Sequence, residues 1–193
     1  MSNPQVSIPE MINQSRDIIT NPSVETFERY ERHGNTTSAA IYVGIAAIIS
    51  GILGLSGGIG GLLSSALGAL IGFFIFTGMV FYIGRNIAEG TGTWDEVAYT
   101  FALFVAPLTL VAALLKLVVW ILGAIPLLGG LFILLGALVT LLILLVQAYF
   151  AYIAVQSSMN IHDQSKAIIT LGLAVVGTFI VQFVIAVIFG IIF

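Results

Sequence analysis

Charge is what this sequence has least of. Charged residues make up 8% of the 193-residue chain, where a soluble domain carries roughly a quarter, and so few charges could not cover a soluble fold of this length. Cysteine is absent, which excludes a disulfide framework, a thiolate metal site and a thiol nucleophile. The two histidines, His33 and His162, each stand alone in a polar stretch without H-E-x-x-H or comparable spacing, so no metal site is expected. The net charge of -3 lacks the clustered basic excess of a nucleic-acid-binding protein.

What is there is apolar. Hydrophobic residues make up 59% of the chain and its mean hydropathy is +1.13. Almost every charge falls into three polar stretches, residues 1–37, 85–97 and 156–166. The runs between them are long enough for membrane helices, which need about 20 residues. The expected fold is all-α and integral to the membrane: a five-transmembrane-helix bundle with short amphipathic N-terminal helices. Residues 1–37 form a cytoplasmic segment and residues 38–193 the membrane domain, with spans at about 38–56, 62–84, 94–122, 131–155 and 167–193. Two uncharged turns are expected, Leu55 to Gly61 (LSGGIGG) and Gly123 to Gly130. Thr93-Trp94-Asp95-Glu96 reads as a capping box that starts the third span.

Loops on the side of the N-terminus hold Arg16, Arg29, Arg32, Arg85 and Lys166, whereas the opposite loops hold no charge. By the positive-inside rule the N-terminus is expected in the cytoplasm and the C-terminus on the opposite side. The remaining base, Lys116, sits near the far end of the third span, where it can snorkel to headgroups beside Trp120. The N-terminal stretch is too polar for a signal peptide. It reads as two helices, the first bringing Ile8, Met11, Ile12, Ile18 and Ile19 to one face and the second Val24, Phe27 and Tyr30. Such helices can lie on lipid or on the protein's own loops.

Catalytic chemistry has few candidates. Gly90 and Gly92 lack the G-K-[ST] end of a phosphate loop, Asp95 and Glu96 sit where a helix start favours negative charge, and Glu25, Glu28 and Glu31 form a solvated helix face. No catalytic, cofactor-binding or metal residues are assigned. Intramembrane polar groups such as Gln147 and Gln182 suit helix-to-helix hydrogen bonds, and Pro107 frees a carbonyl and is expected to kink the third span. Gly60, Ser64, Gly68 and Gly72 recur every fourth residue, as do Ala46, Ser50 and Gly54, a small-residue spacing expected to pack the first two spans together or to form a dimer seam.

In the order of its spans and loops the chain resembles the Yip1 domain family. The resemblance rests on Asn21-Pro22-Ser23-Val24-Glu25-Thr26-Phe27 before the first span, Gly90-Thr91-Gly92-Thr93-Trp94-Asp95-Glu96 before the third, Tyr99 and Pro107 after it, and the Pro126 to Gly130 turn. It implies five spans and a cytoplasmic N-terminus. Eukaryotic relatives are associated with Rab GTPases, ER-to-Golgi traffic and membrane shaping and carry a D-L-Y-G-P motif, which is missing here. A Rab-type GTPase is therefore not the expected partner, and a prokaryotic-type member, in the cell inner membrane, is the better expectation. The function expected is non-enzymatic: organising membrane or recruiting partner proteins through the cytoplasmic face, with Phe27, Tyr30, Trp94, Asp95 and Glu96 as candidate contacts. Expected partners are the lipid bilayer and other membrane proteins or a second copy of the chain. The rivals are a small transporter or channel with its path near Pro107, Lys116, Gln147 and Gln182, and an accessory subunit of a larger membrane complex.

Overall fold

In a computed structural model, described for residues 6–53, 58–126 and 128–192, the chain forms α1 (Ile8–Thr20), α2 (Val24–Tyr30), α3 (Thr36–Leu53), α4 (Gly58–Asn86), α5 (Trp94–Gly123), α6 (Gly129–Ser158) and α7 (Gln164–Ile192). The side chains of residues 54–62, 64, 65 and 189–193 lie outside this description. The helix ends are set by local chemistry. Ser23 caps α2 by accepting from the Thr26 amide at 3.2 Å. Asn35 does the same for α3 through the Ser38 amide at 2.9 Å, which starts that helix two residues before the expected 38. At Thr93 the capping box is complete: its hydroxyl accepts from the Glu96 amide at 3.3 Å while its own amide donates to the Glu96 carboxylate at 2.7 Å. α6 ends in a Schellman motif, with Asn160 at φ 54°, Asn160 N–H bonded to Ser157 C=O at 2.9 Å and Ile161 N–H to Gln156 C=O at 3.0 Å.

Five helices, α3 to α7, are long and apolar enough to cross a membrane. The expected turn at Leu55 to Gly61 is corrected in part: residues 54–57 lie outside the description, but Gly58 to Gly61 are the first turn of α4. Glycine weakens a helix in water. In hydrocarbon, every amide must bond within its own segment, and that requirement outweighs the entropic cost. At the other turn, Gly129 and Gly130 belong to α6, and a Cβ on Gly129 would overlap the Gly123 carbonyl, so the chain can close so tightly only with glycine there.

α5 is the central helix. It packs along α3 on one side and α6 on the other, with α4 and α1 also against it, while α7 lies mainly on α4. It remains α-helical through Pro107. The aromatic core follows from this placement: Phe76 of α4 meets Phe101 edge-on at 5.7 Å, Phe101 lies 5.3 Å from Phe104, and Phe104 stacks on Phe150 of α6 at 5.6 Å. Each such pair is worth about 0.5–1.5 kcal/mol beyond the area that it buries. Burial is uneven, covering 33% of the hydrophobic window in α3 and in α5 but 11% in α6 and in α7. The last two spans therefore present most of their surface to lipid.

Small residues mediate contact, and the described part of the expected row does not face α3. Gly60 and Ser64 lie outside the described side chains. Gly68 has no neighbour among the described residues where a side chain would go, and Gly72 faces Gln182 of α7 rather than α3. In α3 the row turns to α5: Ala46 is buried and the Ser50 hydroxyl reaches the Thr109 carbonyl at 3.5 Å. A four-residue spacing shows that one helix face is narrow; it does not say which neighbour uses it. α5 and α6 pack closely at Gly136, whose missing side chain makes room for Val119. Gly136→Val should destabilise the protein by about 1–3 kcal/mol through overpacking, and adding Val119→Ala should restore much of it, read as the midpoint of thermal unfolding in detergent.

Candidate functional site

The two N-terminal helices are part of the bundle. Met11, Ile18 and Phe27 are fully buried and belong to the same hydrophobic core as the spans. Phe27, expected as a partner contact, is corrected on this point: its ring is buried against the stacked pair Phe104 and Phe150, 6.2 Å from each. Nor does the whole apolar face of α1 turn inward. Ile12 and Ile19 remain exposed, while Gln14 and Ser15 take inward positions because partners await them. Gln14 accepts from the Tyr99 hydroxyl of α5 at 2.6 Å and Ser15 shares a hydrogen bond with Tyr42 of α3 at 3.0 Å. Both are buried, so these bonds satisfy groups that would otherwise destabilise the fold. Gly34 lets the chain pass against the Tyr99 ring, where any Cβ would collide.

Around this plug the three polar stretches meet. Glu31, at the end of α2 and 3% exposed, accepts from the Ser157 hydroxyl of α6 at 2.7 Å. Arg32 lies between Glu31, at 3.5 Å, and Glu96 of α5, at 3.3 Å. Asp95 accepts from both the amide and the hydroxyl of Thr36, at 2.7 and 2.5 Å, tying the start of α3 to the start of α5. The loop before α5 lies on the end of α6, with the Thr91 amide on the Met159 carbonyl at 3.0 Å. Gly92 is pressed so close to the Ser158 carbonyl that no side chain fits. Glu89, held at φ 60°, reaches Lys166 at 2.8 Å across the two loops.

Of the expected contact residues, Glu96 and Asp95 are therefore engaged within the chain. Tyr30 donates to Asp17 at 2.8 Å beside Arg29, which reaches the same carboxylate at 3.0 Å. Trp94 stacks on Phe81 of α4 at 6.5 Å and is still 45% exposed. The residues expected to line a transport path are not brought together. A groove of about 580 Å³ between α5 and α6 is lined by Lys116 but not by Pro107, Gln147 or Gln182, and Gln182 is exposed beside Gly72. Among the described residues no group of three His, Asp or Glu side chains is placed to hold a metal ion. What sequence reading missed is the pinning set, Gln14, Ser15, Tyr42 and Tyr99. Its available signal was two polar residues three and four positions after Met11, between the apolar positions 11 and 18.

The carboxyl groups of this end have opposite electrostatics. Burial pushes the Glu31 carboxyl above its ordinary value, opposed by the Ser157 hydrogen bond and assisted by nearby Glu96. Asp17 is held below its ordinary value by the Tyr30 and Asn21 hydrogen bonds, and Glu89 by its bond to Lys166. An arrangement of this kind is a clamp built from satisfied polar groups.

Five apolar helices of membrane-spanning length, with the N-terminal helices docked at one end, define an integral multi-pass membrane protein. Residues 16–189 match the model of the Yip1 domain, and the chain belongs to that family. No curated protein and no solved structure gives a significant match.

Two outcomes follow from the plug and its clamp. Phe27→Ala should cost about 3–5 kcal/mol, as for other buried aromatic truncations, and should speed tryptic cleavage at Arg16, Arg29 and Arg32, seen on a gel before any loss of the spans. For Glu31 the folded state holds its proton more tightly than the unfolded chain. Its contribution is thus favourable below the unfolded value of 4.5 and is lost as pH rises through the raised folded value. Glu31→Gln, which keeps an acceptor for Ser157, should unfold at a higher temperature than the parent at neutral pH. That difference should shrink as pH falls towards the ordinary glutamate range, where Asp17 and Glu89 remain ionised.

Proposed function

We propose that the protein is a non-enzymatic organiser of membrane or partner proteins that works through its capped end, and that this end faces the cytoplasm. The observation that carries the reading is the convergence of the three polar stretches, joined by Glu31 to Ser157, Asp95 to Thr36 and Glu89 to Lys166. They gather all nine acidic residues and five of the six basic ones, Lys116 being the sixth, at one end. Sidedness rests on the positive-inside rule applied to Arg16, Arg29, Arg32, Arg85 and Lys166.

Because Phe27 and Glu96 hold the cap together, the contact surface lies on what the cap leaves open. That surface is the outer face of α1, where Ile12, Arg16 and Ile19 are exposed at helical spacing, and the exposed Trp94. Isolated exposed apolar residues are ordinary on a soluble surface. Here they stand among the charges of the cap, a combination suited to a protein partner, a second copy of the chain or the lipid surface. A photoreactive residue placed at Ile19 or Trp94 should trap defined protein partners in native membranes, whereas one at Leu138, on the lipid-facing side of α6, should not. Equal trapping at all three positions, or none at Ile19 and Trp94, would refute the reading.

A further inference from the structure

Among the described residues Lys116 has no acid to answer it. All nine Asp and Glu side chains belong to the polar stretches at the capped end. The nearest along its own helix, Glu96, is twenty positions away, about 30 Å at 1.5 Å per residue. Among the described residues no ion pair involves Lys116, and its side chain is exposed. A cation held at membrane depth is costly unless an anion or water meets it, and none of the described residues supplies the anion.

The surroundings specify what that anion is attached to. Lys116 lines the groove of about 580 Å³ that runs between α5 and α6 towards the turn joining them, a size within the roughly 300–1,000 Å³ of small-ligand pockets. Its floor is the contact of Val119 with Gly136, where the two helices touch. The space above exists because Gly123, Ala124 and Ala137 carry little or no side chain. The walls are otherwise apolar apart from two groups. The Thr140 hydroxyl donates to the Gly136 carbonyl at 2.8 Å. Trp120, one turn beyond Lys116 and 74% exposed, brings an indole N–H of the kind that sits at headgroup depth. Lys116 lies seven residues before the end of α5 at Gly123, about 10 Å along the axis, a distance that its flexible stem partly covers by snorkelling.

We infer that this groove holds one anionic phospholipid from the leaflet opposite the capped end, its phosphate on Lys116 and Trp120 and its upper acyl chain along the small residues of α5 and α6. A zwitterionic lipid presents the same phosphate next to its own cation, so charge complementarity favours a headgroup with net negative charge. The inference does not depend on the function proposed for the capped end, which lies at the other end of the bundle.

The test is native mass spectrometry of the full-length protein in mild detergent, titrated with phosphatidylglycerol and with phosphatidylcholine of matched chains. The first phosphatidylglycerol should bind about fivefold more tightly, the factor expected of one basic residue near an anionic headgroup. Lys116→Met should abolish that preference and Lys116→Arg should keep it; both changes are at an exposed side chain and leave the packing intact. Ala137→Phe should fill the groove and weaken both lipids. An undiminished preference in Lys116→Met, or unchanged binding in a folded Ala137→Phe protein, would overturn the assignment. So would full competition by millimolar inorganic phosphate, which would leave the acyl chain no part in the site.

Discussion

The seat of Phe27 against the stacked rings of Phe104 and Phe150 is the contact on which the architecture turns. Helices α5 and α6 are joined at one end by a glycine-tight turn and approach closely at Val119 and Gly136. At the other end α2 lies across the same two helices, its Phe27 ring against the stacked Phe104 and Phe150. Beside it α1 packs on α5, and the Tyr42 and Tyr99 hydroxyls meet Ser15 and Gln14. Membrane helices gain little from hydrophobic association among themselves, because lipid tails are as apolar as their side chains. A plug that comes from the aqueous side is different. It removes apolar surface from water, at about 25 cal/mol per Å², so the cap contributes a driving force that the spans lack.

Much of the architecture was legible in the sequence because its causes are local. The five apolar runs became helices since hydrocarbon leaves no other way to satisfy the backbone. The Thr93 capping box and the Ser23 start are contacts across three residues, which a sequence displays directly. The candidate site was less legible for the opposite reason. Whether Phe27 is a surface anchor or a plug depends on Phe104 and Phe150, far away in sequence, and a small amphipathic helix looks the same in either role. Gln14 and Ser15 looked like the polar side of α1 because their partners are tyrosines in two different spans. Glu31 looked solvated until α6 placed Ser157 beside it. In the described part of the α4 row, Gly72 meets Gln182 of α7 and not α3, because periodicity reports a face and not its neighbour.

The clamp around the plug also explains how weakly buried spans are kept in place. α6 and α7 bury little of their surface, so they need attachment at defined points. α6 has Gly136 on Val119, Phe150 in the aromatic stack and Ser157 on Glu31. α7 has the Met79 side chain packed over Gly177 and, at its start, Lys166 on Glu89. The surface ion pair adds little by itself. The Thr91 to Met159 bond and the side-chain-free positions at Gly90 and Gly92 hold the same two loops together through the backbone, so the clamp depends on steric fit more than on charge.

The two ends of the bundle therefore differ in kind. At the capped end the described carboxylates are largely matched within the chain, by Ser157, Arg32, Thr36, Tyr30, Arg29 or Lys166, and the groups left exposed include a few apolar side chains and Trp94. At the turn end the position is reversed: apolar side chains face lipid as their proper solvent, and among the described residues Lys116 is a cation with no ion pair. An unmatched apolar group among charges calls for a partner that brings hydrophobic surface, and an unmatched cation among apolar groups calls for one that brings an anion on an apolar stem. The same bundle can meet both demands at once because its central helix, α5, carries Trp94 at one terminus and Lys116 near the other, separated by the thickness of the membrane.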